Sequence, residues 1–372
     1  MRFADEFRDR AAVEAVGRRM RQIARGQTTI MEVCGTHTMS AARFGLRSLL
    51  PEGVRLISGP GCPVCVTDQE DIDLFLALGA LPGVTLASFG DMLRVPGSRT
   101  SLERERAAGA DVRVVYSPLD AVDIARREPD KQVVFFGVGF ETTMPATALA
   151  IDAAARDAVR NFCVLCAHKT MPAAIRALLS GGELQLSGLL LPGHVTTIIG
   201  ARAYDFIPAE FRVPCAVAGF EPVDMMLGIQ RILEQIAEGR PRVDNAYARA
   251  VTDQPNRRAR DMVDQVFAVS DSRWRGLGLI PNSGAEIRIE YAEFDARRRF
   301  AGAVSECVSG SSVIPTEPGS FCRCGDVLRG AIGPRDCALF GAGCTPTNPR
   351  GPCMVSSEGA CAAEYRYGGE SA

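Results

Sequence analysis

Short apolar segments alternate with helical patterns through residues 5–238. Apolar runs rich in Val, Ile, Leu and Phe predict eight strands, at 28–33, 54–58, 84–89, 112–116, 132–138, 161–167, 186–191 and 213–218. Between them apolar positions recur at helical spacing, and an amphipathic helix is predicted over 5–25, before the first strand. Because strands separated by helices favour parallel pairing, this pattern predicts an α/β fold whose parallel sheets carry helices on both faces.

The eight predicted strands fall into two consecutive sets of four, separated near 118–120. We therefore expect two Rossmann-like α/β domains, residues 1–118 and 119–239. The second domain is predicted to close with a helix over 221–238 that ends at Gly239.

The remaining residues, 240–372, are expected to form a third and smaller unit. Residues 240–300 are predicted to be mostly helical, with the arginine runs at 257–260 and 297–299 on solvated helix faces. From 302 onward the chain is rich in Gly, Pro, Ser and Cys. Such a segment does not build an ordinary core, so we expect a bound metal centre to organise it.

Composition narrows the classes of protein to which this chain can belong. With 372 residues, 47% of them hydrophobic, it has enough apolar material for ordinary cores. The net charge of −2 does not indicate nucleic-acid binding, which calls for a basic surface. No apolar run approaches the roughly 18 residues of a membrane span, and the charged N-terminus lacks a signal-peptide pattern, so a cytoplasmic protein is expected.

Cysteine is the unusual element of the composition. Thirteen cysteines is an odd number, and cytoplasmic proteins rarely keep structural disulfides. The pattern therefore indicates metal binding or redox chemistry. Six cysteines lie close together near the C-terminus: Cys322, Cys324, Cys337, Cys344, Cys353 and Cys361.

Reactive side chains follow the predicted strands. Ligands of open parallel sheets bind beyond the carboxyl ends of the strands, and all three histidines of this chain lie there. The sequences that follow five of the strands are Cys34-Gly-Thr-His37-Thr, Gly59-Pro-Gly-Cys62-Pro-Val-Cys65, Gly139-Phe-Glu141-Thr142-Thr143, His168-Lys-Thr and Pro192-Gly-His194. We expect these loops to face one cleft shared by the two α/β domains.

Cys34 is predicted to lie at a strand end beside a helix over 39–50. A helix N-terminus and a nearby imidazole such as His37 both lower the pKa of a thiol, so Cys34 is expected to be a nucleophile or a soft ligand for iron. The alternative is a buried, inert cysteine.

The Cys-X-X-Cys sequences have different interpretations. Cys62 and Cys65 enter a predicted helix, which favours a dithiol/disulfide pair over two metal ligands. Cys163 and Cys166 lie within a predicted strand, so their side chains point to opposite faces and belong to the core. Cys215 is likewise assigned to the core.

Glu141 and Thr142 precede a predicted helix at 144–157. They either cap this helix or contact a phosphate or substrate, and the glycine pattern around them is too incomplete for a nucleotide loop. His168 and His194 are candidates for acid/base or hydrogen-bonding roles.

The six C-terminal cysteines exceed the four that hold a [4Fe–4S] cluster. A zinc site is the competing interpretation. Two thiols remain free in either case.

Together these motifs resemble the hydrogenase maturation protein HypD family. The resemblance rests on Cys34-Gly-Thr-His-Thr, Gly59-Pro-Gly-Cys-Pro-Val-Cys65, Gly139-Phe-Glu-Thr-Thr143, Pro192-Gly-His194 and Gly351-Pro-Cys-Met-Val-Ser-Ser-Glu-Gly-Ala-Cys361, and it covers nearly the whole chain. It implies two α/β domains and a C-terminal [4Fe–4S] domain. It also implies a scaffold that works with a small HypC-type partner to assemble the Fe(CN)₂CO group, and thus binds carbon monoxide as part of that group. The cyanide of the group would come from HypE and HypF.

The resemblance also implies roles for the cysteines. Cys324, Cys337, Cys344 and Cys361 would ligate the cluster, and Cys322 and Cys353 would form an adjacent dithiol, as in ferredoxin:thioredoxin reductase. The exchange of roles between Cys353 and Cys361 stays open.

We expect Cys34 to bind the nascent iron group, with His37 positioning it or lowering its pKa. Glu141, Thr142 and His194 are expected to contact the same group. Cys62 and Cys65 would carry electrons. The alternative function is a free-standing iron–sulfur thiol/disulfide oxidoreductase similar to ferredoxin:thioredoxin reductase.

Overall fold

The computed structural model describes residues 5–182, 185–302 and 322–369. The strands within these ranges are β1 Thr28–Glu32, β2 Val54–Ser58, β3 Val84–Ser88, β4 Asp111–Val114, β5 Gln132–Gly137, β6 Phe162–Cys166, β7 Gly188–Pro192, β8 Cys215–Ala218, β9 Val243–Asn245, β10 Phe267–Trp274 and β11 Gly278–Ile287. All eight predicted strands are confirmed, with ends that shift by no more than two residues.

Helices connect these strands. Their bounds are α1 Arg10–Ile23, α2 Gly35–Arg43, α3 Pro63–Val66, α4 Gln69–Leu78, α5 Leu102–Ala107, α6 Pro118–Arg127, α7 Met144–Arg156, α8 Met171–Ser180, α9 Gly193–Ile199, α10 Pro222–Glu238, α11 Arg257–Val266, α12 Ala296–Arg299, α13 Cys324–Leu328, α14 Pro352–Val355 and α15 Ala360–Tyr367. The predicted end of α10 at Gly239 is confirmed, because this glycine adopts the left-handed conformation with φ 63°. No helix in the described ranges is long and apolar enough to cross a membrane.

Two parallel sheets form the body of the protein. The first has the strand order β2-β1-β7-β8-β9 and the second has the order β4-β3-β5-β6. Their central strands are buried along their length, as parallel strands with helices on both faces must be.

The strands are not divided between the sheets as the sequence predicted. Residues Val84–Ala87 of β3 pair with Gln132–Phe135 of β5, across the expected boundary near 118–120. Residues Ile30–Glu32 of β1 pair with Gly188–Leu190 of β7. The chain therefore forms β1 and β2 of the first sheet, then all four strands of the second sheet, and then β7, β8 and β9 of the first sheet. The predicted grouping of the strands into two consecutive sets was wrong. Strand pairing depends on long-range contacts, and the local periodicity of the sequence carries no information about them.

A β-hairpin replaces part of the helical segment predicted for 240–300. Strands β10 and β11 pair in antiparallel register, from Phe267 opposite Ile287 to Trp274 opposite Gly278. Burial alternates along β10, which is the period of a strand with one covered face. The turn between them uses Gly276 at φ 80°. Only α11 and the short α12 are helical as expected, and their arginine runs are largely exposed.

The C-terminal segment packs on the first sheet's end rather than standing apart. Helix α15 contacts α2, and α14 contacts α3. Buried residues of this segment belong to the same apolar core as residues of both sheets. The segment therefore lies where β1 and β2 end.

Candidate thiol site at the carboxyl edge of the first sheet

Cys34 lies between the end of β1 and the start of α2. It is the residue that caps α2, with extended backbone angles, and its side chain is fully buried. The helix begins at Gly35, four residues earlier than the predicted 39–50, because Gly35 and Thr36 continue into its first turn. Cys34 therefore stands at a helix N-terminus, as expected.

His194 is the imidazole beside Cys34. Its Nδ1 lies 3.6 Å from Cys34 Sγ. The strand order explains this contact, because β1 and β7 are neighbours and both loops leave the same edge. The expected partner, His37, turns away: its Nε2 donates to the Gly219 carbonyl at 2.9 Å. His37 therefore favours a thiolate at Cys34 through its backbone N–H and not through its ring.

The sequence predicted a lowered pKa for Cys34, and this prediction is wrong. Burial raises the pKa of its thiol far above the usual range, and the carboxyl groups of Glu358 and Glu32 add to the effect. The backbone N–H groups of Thr36 and His37 oppose this shift but do not reverse it. Without a bound cation, Cys34 is therefore a protonated thiol.

The Cys62–Cys65 loop lies against the Cys34 loop. Gly61 accepts a hydrogen bond from the Gly35 N–H at 2.8 Å through its carbonyl. A side chain at Gly61 would place its Cβ 2.0 Å from the Cys34 backbone nitrogen, so only glycine permits this approach. Cys62 and Cys65 are joined in a disulfide, with Cα atoms 5.2 Å apart.

The six C-terminal cysteines line one small cavity. Its apolar lining includes Val327, Leu339, Phe340 and Met354. Within it, the thiols of Cys322 and Cys353 each contact that of Cys324. Burial raises the pKa of Cys361, and neighbouring thiols add to this shift.

This cavity fits a sulfur-bound metal cluster by the chemistry of its donors. All its potential ligands are soft thiols in apolar surroundings, which suits iron–sulfur or zinc binding. Within the described ranges no three Cys, His, Asp or Glu side chains stand around the position of a single metal ion. Cys307 lies outside the described residues.

Three residues of the site were missed in the sequence. Glu32 is fully buried in β1, and its Oε2 accepts from the Cys34 N–H at 3.0 Å. Glu358 accepts from Thr36 Oγ1 at 2.6 Å and so ties the C-terminal segment to α2. Phe220 lies between the rings of His37 and His194. A carboxyl group between the apolar residues Met31 and Val33 of a predicted strand was the available signal for Glu32.

Glu141 and Thr142 lie at the edge of the second sheet, not beside Cys34. Glu141 is buried, and its Oε1 accepts from the Met171 N–H at 2.8 Å. It therefore caps α8 and not α7, the helix that follows it in sequence. Thr142 is half-buried. Three of the five loops thus leave the first sheet and two leave the second, and the expectation of one shared cleft stays a prediction.

The other predicted positions of the second sheet are structural in their contacts. Cys163 is fully buried in one apolar cluster, whereas Cys166 is half-buried, packs against the apolar cluster on the other face of the sheet and also lines a polar cavity, so the two side chains point to opposite faces as predicted. His168 Nδ1 lies 3.5 Å from Cys166 Sγ, and its Nε2 lies 3.4 Å from Thr147 Oγ1. Cys215 is buried in β8, as predicted.

Comparison with known proteins places these features in one family. The sequence model described as "HypD: Hydrogenase formation hypA family" matches residues 10–368. The chain is 47% identical to the hydrogenase maturation factor HypD of Azotobacter vinelandii, over 99% of this chain and 97% of the relative. It is 46% identical to that of Rhodobacter capsulatus over the full length of both, and 43% identical to that of Escherichia coli K12 over 99% and 98%.

Proposed function

Because this chain belongs to the HypD family of hydrogenase maturation factors, we propose that it is a redox-active scaffold for the Fe(CN)₂CO group of [NiFe]-hydrogenases. A small HypC-type protein is the proposed partner that shares the iron, and HypE, working with HypF, is the proposed source of cyanide. The observation that carries this proposal is the buried Cys34 thiol, 3.6 Å from His194 and next to a disulfide.

Cys34 is the proposed protein ligand of the iron. A thiolate is a soft, electron-rich donor that suits low-spin iron carrying cyanide and carbon monoxide. Burial lowers the pKa of His194 to about 4, so its ring is neutral at pH 7. His194 Nδ1 would pass the Cys34 proton on to solvent as the iron binds, because an imidazole with so low a pKa does not keep it, and the positive charge of the iron would stabilise the thiolate.

Cys62 and Cys65 are the proposed two-electron store beside this site. When two thiols close into a disulfide, they release two electrons and two protons. The pair is held close to Cys34 by the hydrogen bond between Gly35 and Gly61. Glu141 and Thr142 lie on the other sheet, and their predicted contact with the iron group stays a prediction.

The C-terminal cavity is the proposed seat of a [4Fe–4S] cluster, held by Cys324, Cys337, Cys344 and Cys361. Such a cluster supplies single electrons. Cys322 and Cys353 are the proposed adjacent dithiol. Support comes from the packing, because α14 carries Cys353 and contacts α3, which carries Cys65.

Infrared spectroscopy of the protein purified anaerobically with its HypC-type partner tests the role of Cys34. Wild type is expected to show cyanide and carbon monoxide bands, and Cys34→Ala is expected to lose them. Cys215→Ala, which removes a buried thiol far along the first sheet, serves as the control and should keep the bands. Full bands in Cys34→Ala would contradict the proposed ligand.

A second function, a free-standing thiol/disulfide oxidoreductase, is favoured by the disulfide that lies beside the cysteine-lined cavity. It predicts that the protein alone, supplied with reduced ferredoxin, reduces a model disulfide. Iron and sulfide analysis of the anaerobic protein tests both functions at once. A colourless, iron-free protein after cluster loading would exclude both.

A further inference from the structure

A cavity of about 700 Å³ lies outside the thiol site, between α8, α11 and the β10–β11 hairpin. Its size is that of pockets that hold small organic ligands. Most of its wall is apolar, and small residues along one face of α8, Ala173 and Ala177, keep it open. The proposed roles of Cys34 and the other cysteines do not use this cavity.

Glu141 is a lining residue of this cavity, and one of its oxygens has no donor. Its side chain is only 7% exposed, and Oε1 accepts from the Met171 N–H. Oε2 is buried and has no hydrogen-bond partner in the described part of the chain. A buried acceptor without a donor is destabilising, so a ligand that supplies the donor binds more tightly.

The two arginines that line the cavity are already paired. Arg260 Nε lies 2.9 Å from Asp264 Oδ2 on the same helix. Arg176 pairs with Glu210 and stacks on the ring of Phe206, 4.2 Å from its centroid. The cavity therefore presents a carboxyl group that no guanidinium hydrogen-bonds, although the charge of Arg260 acts on it, and no unpaired guanidinium among its described lining residues.

We propose that this cavity binds a small organic cation, a primary amine or amidinium on an apolar body, whose N–H donates to Glu141 Oε2. The apolar body packs between α8 and the hairpin, against Ala177 and Ile280. A carboxylate or phosphate of the same size is excluded, because it would face the Glu141 carboxyl without an available cation. This site is separate from the iron-binding role proposed for Cys34.

Isothermal titration with benzamidine, benzyl alcohol and benzoate tests the proposal. These probes share an aromatic body and differ in the charge and donors of the head group. Wild type is expected to bind benzamidine saturably, benzyl alcohol about tenfold more weakly, and benzoate not at all. Equal binding of benzamidine and benzoate, or no saturable binding of benzamidine, overturns the proposal.

Two substitutions separate the carboxyl from the cavity. Glu141→Gln keeps an oxygen for the Met171 N–H but places an amide at Oε2, so benzamidine affinity should fall at least tenfold. Ala177→Trp fills the cavity and should abolish binding while Glu141 remains. Glu234→Gln, the same change at a largely buried carboxyl on α10 outside both sites, is the matched control and should bind like wild type. Unchanged affinity in Glu141→Gln contradicts the proposal, and circular dichroism checks the fold of each variant.

Discussion

The carboxyl edges of the two parallel sheets carry similar side chains in different settings. At the first edge Cys34 and His194 face each other, and the C-terminal segment covers them through Thr36 and Glu358. At the second edge Cys166 and His168 also form a thiol–imidazole pair. There the β10–β11 hairpin is the cover, and it carries no cysteine.

The two edges have equivalent positions at the carboxyl ends of parallel strands. They differ in the element that covers them. The C-terminal segment brings six further thiols to the first edge. The hairpin instead brings backbone carbonyls: Ala285 O accepts from Cys166 Sγ, and Arg273 O accepts from buried Lys169 at 2.7 Å. A strand-end cysteine becomes part of a larger group of thiols only where the covering element also carries cysteines.

Replacing a glycine at each edge should give the largest difference between them. The Cβ of Gly61→Ala would lie 2.0 Å from the Cys34 backbone, which has no room to move. The Cβ of Gly137→Ala would lie 2.9 Å from a ring atom of the His168 side chain, which is able to shift. We expect losses of roughly 3 kcal/mol or more and roughly 1 kcal/mol, respectively, in urea denaturation. Equal losses would show that the first edge is as adaptable as the second.

The buried carboxyl of each edge should make stability depend on pH. Burial raises the pKa of both Glu32 and Glu141 from 4.5 to about 7. The folded state then binds protons more tightly, so the stabilisation is complete below pH 4.5 and is lost as the pH rises to about 7. Glu141→Gln should remove one such loss, roughly 3 kcal/mol, from the pH profile of the unfolding free energy.

Glu32→Gln should flatten the same profile less cleanly. Glu32 accepts from both the Cys34 N–H and Thr38 Oγ1, and an amide can keep only one of these hydrogen bonds. We expect a general loss of stability in addition to the weaker pH dependence. A profile of Glu141→Gln identical to that of wild type would mean that the pKa of this carboxyl is the same in the folded and unfolded protein.

The smallest expected difference between the two edges is in the rates at which the cysteines of the two thiol–imidazole pairs are alkylated. Burial raises the pKa of Cys34 beyond the usual range and that of Cys166 to about 12, so both react slowly with iodoacetamide. Cys34 is fully buried and Cys166 is half-buried, so we expect about tenfold faster labelling of Cys166 in the metal-free protein. Peptide mass spectrometry measures both rates, with Cys166→Ser to identify the site. Faster labelling of Cys34 would indicate that its edge opens readily.

Local pattern was sufficient for the strands and for the positions of the reactive groups. Each strand of the two sheets up to β8 has an apolar run that is visible without any partner, and Cys34, His168 and His194 follow such runs. The β10–β11 hairpin was missed because its strands contain and adjoin charged residues. We interpreted this charged sequence as the solvated face of a helix. Glu32 and Glu358 were missed because their importance comes from the residues that they contact.

The order of residue types along the chain determined by itself the α/β class, the strand ends and the cysteine-rich C-terminal segment. Backbone periodicity and side-chain chemistry are local properties, and they need no knowledge of the rest of the molecule. Only the tertiary structure decided that β1 lies between β2 and β7, which places His194 rather than His37 beside Cys34. The physical reason is that pairing and burial join residues far apart in sequence, and burial also reversed the pKa expected from the local motif.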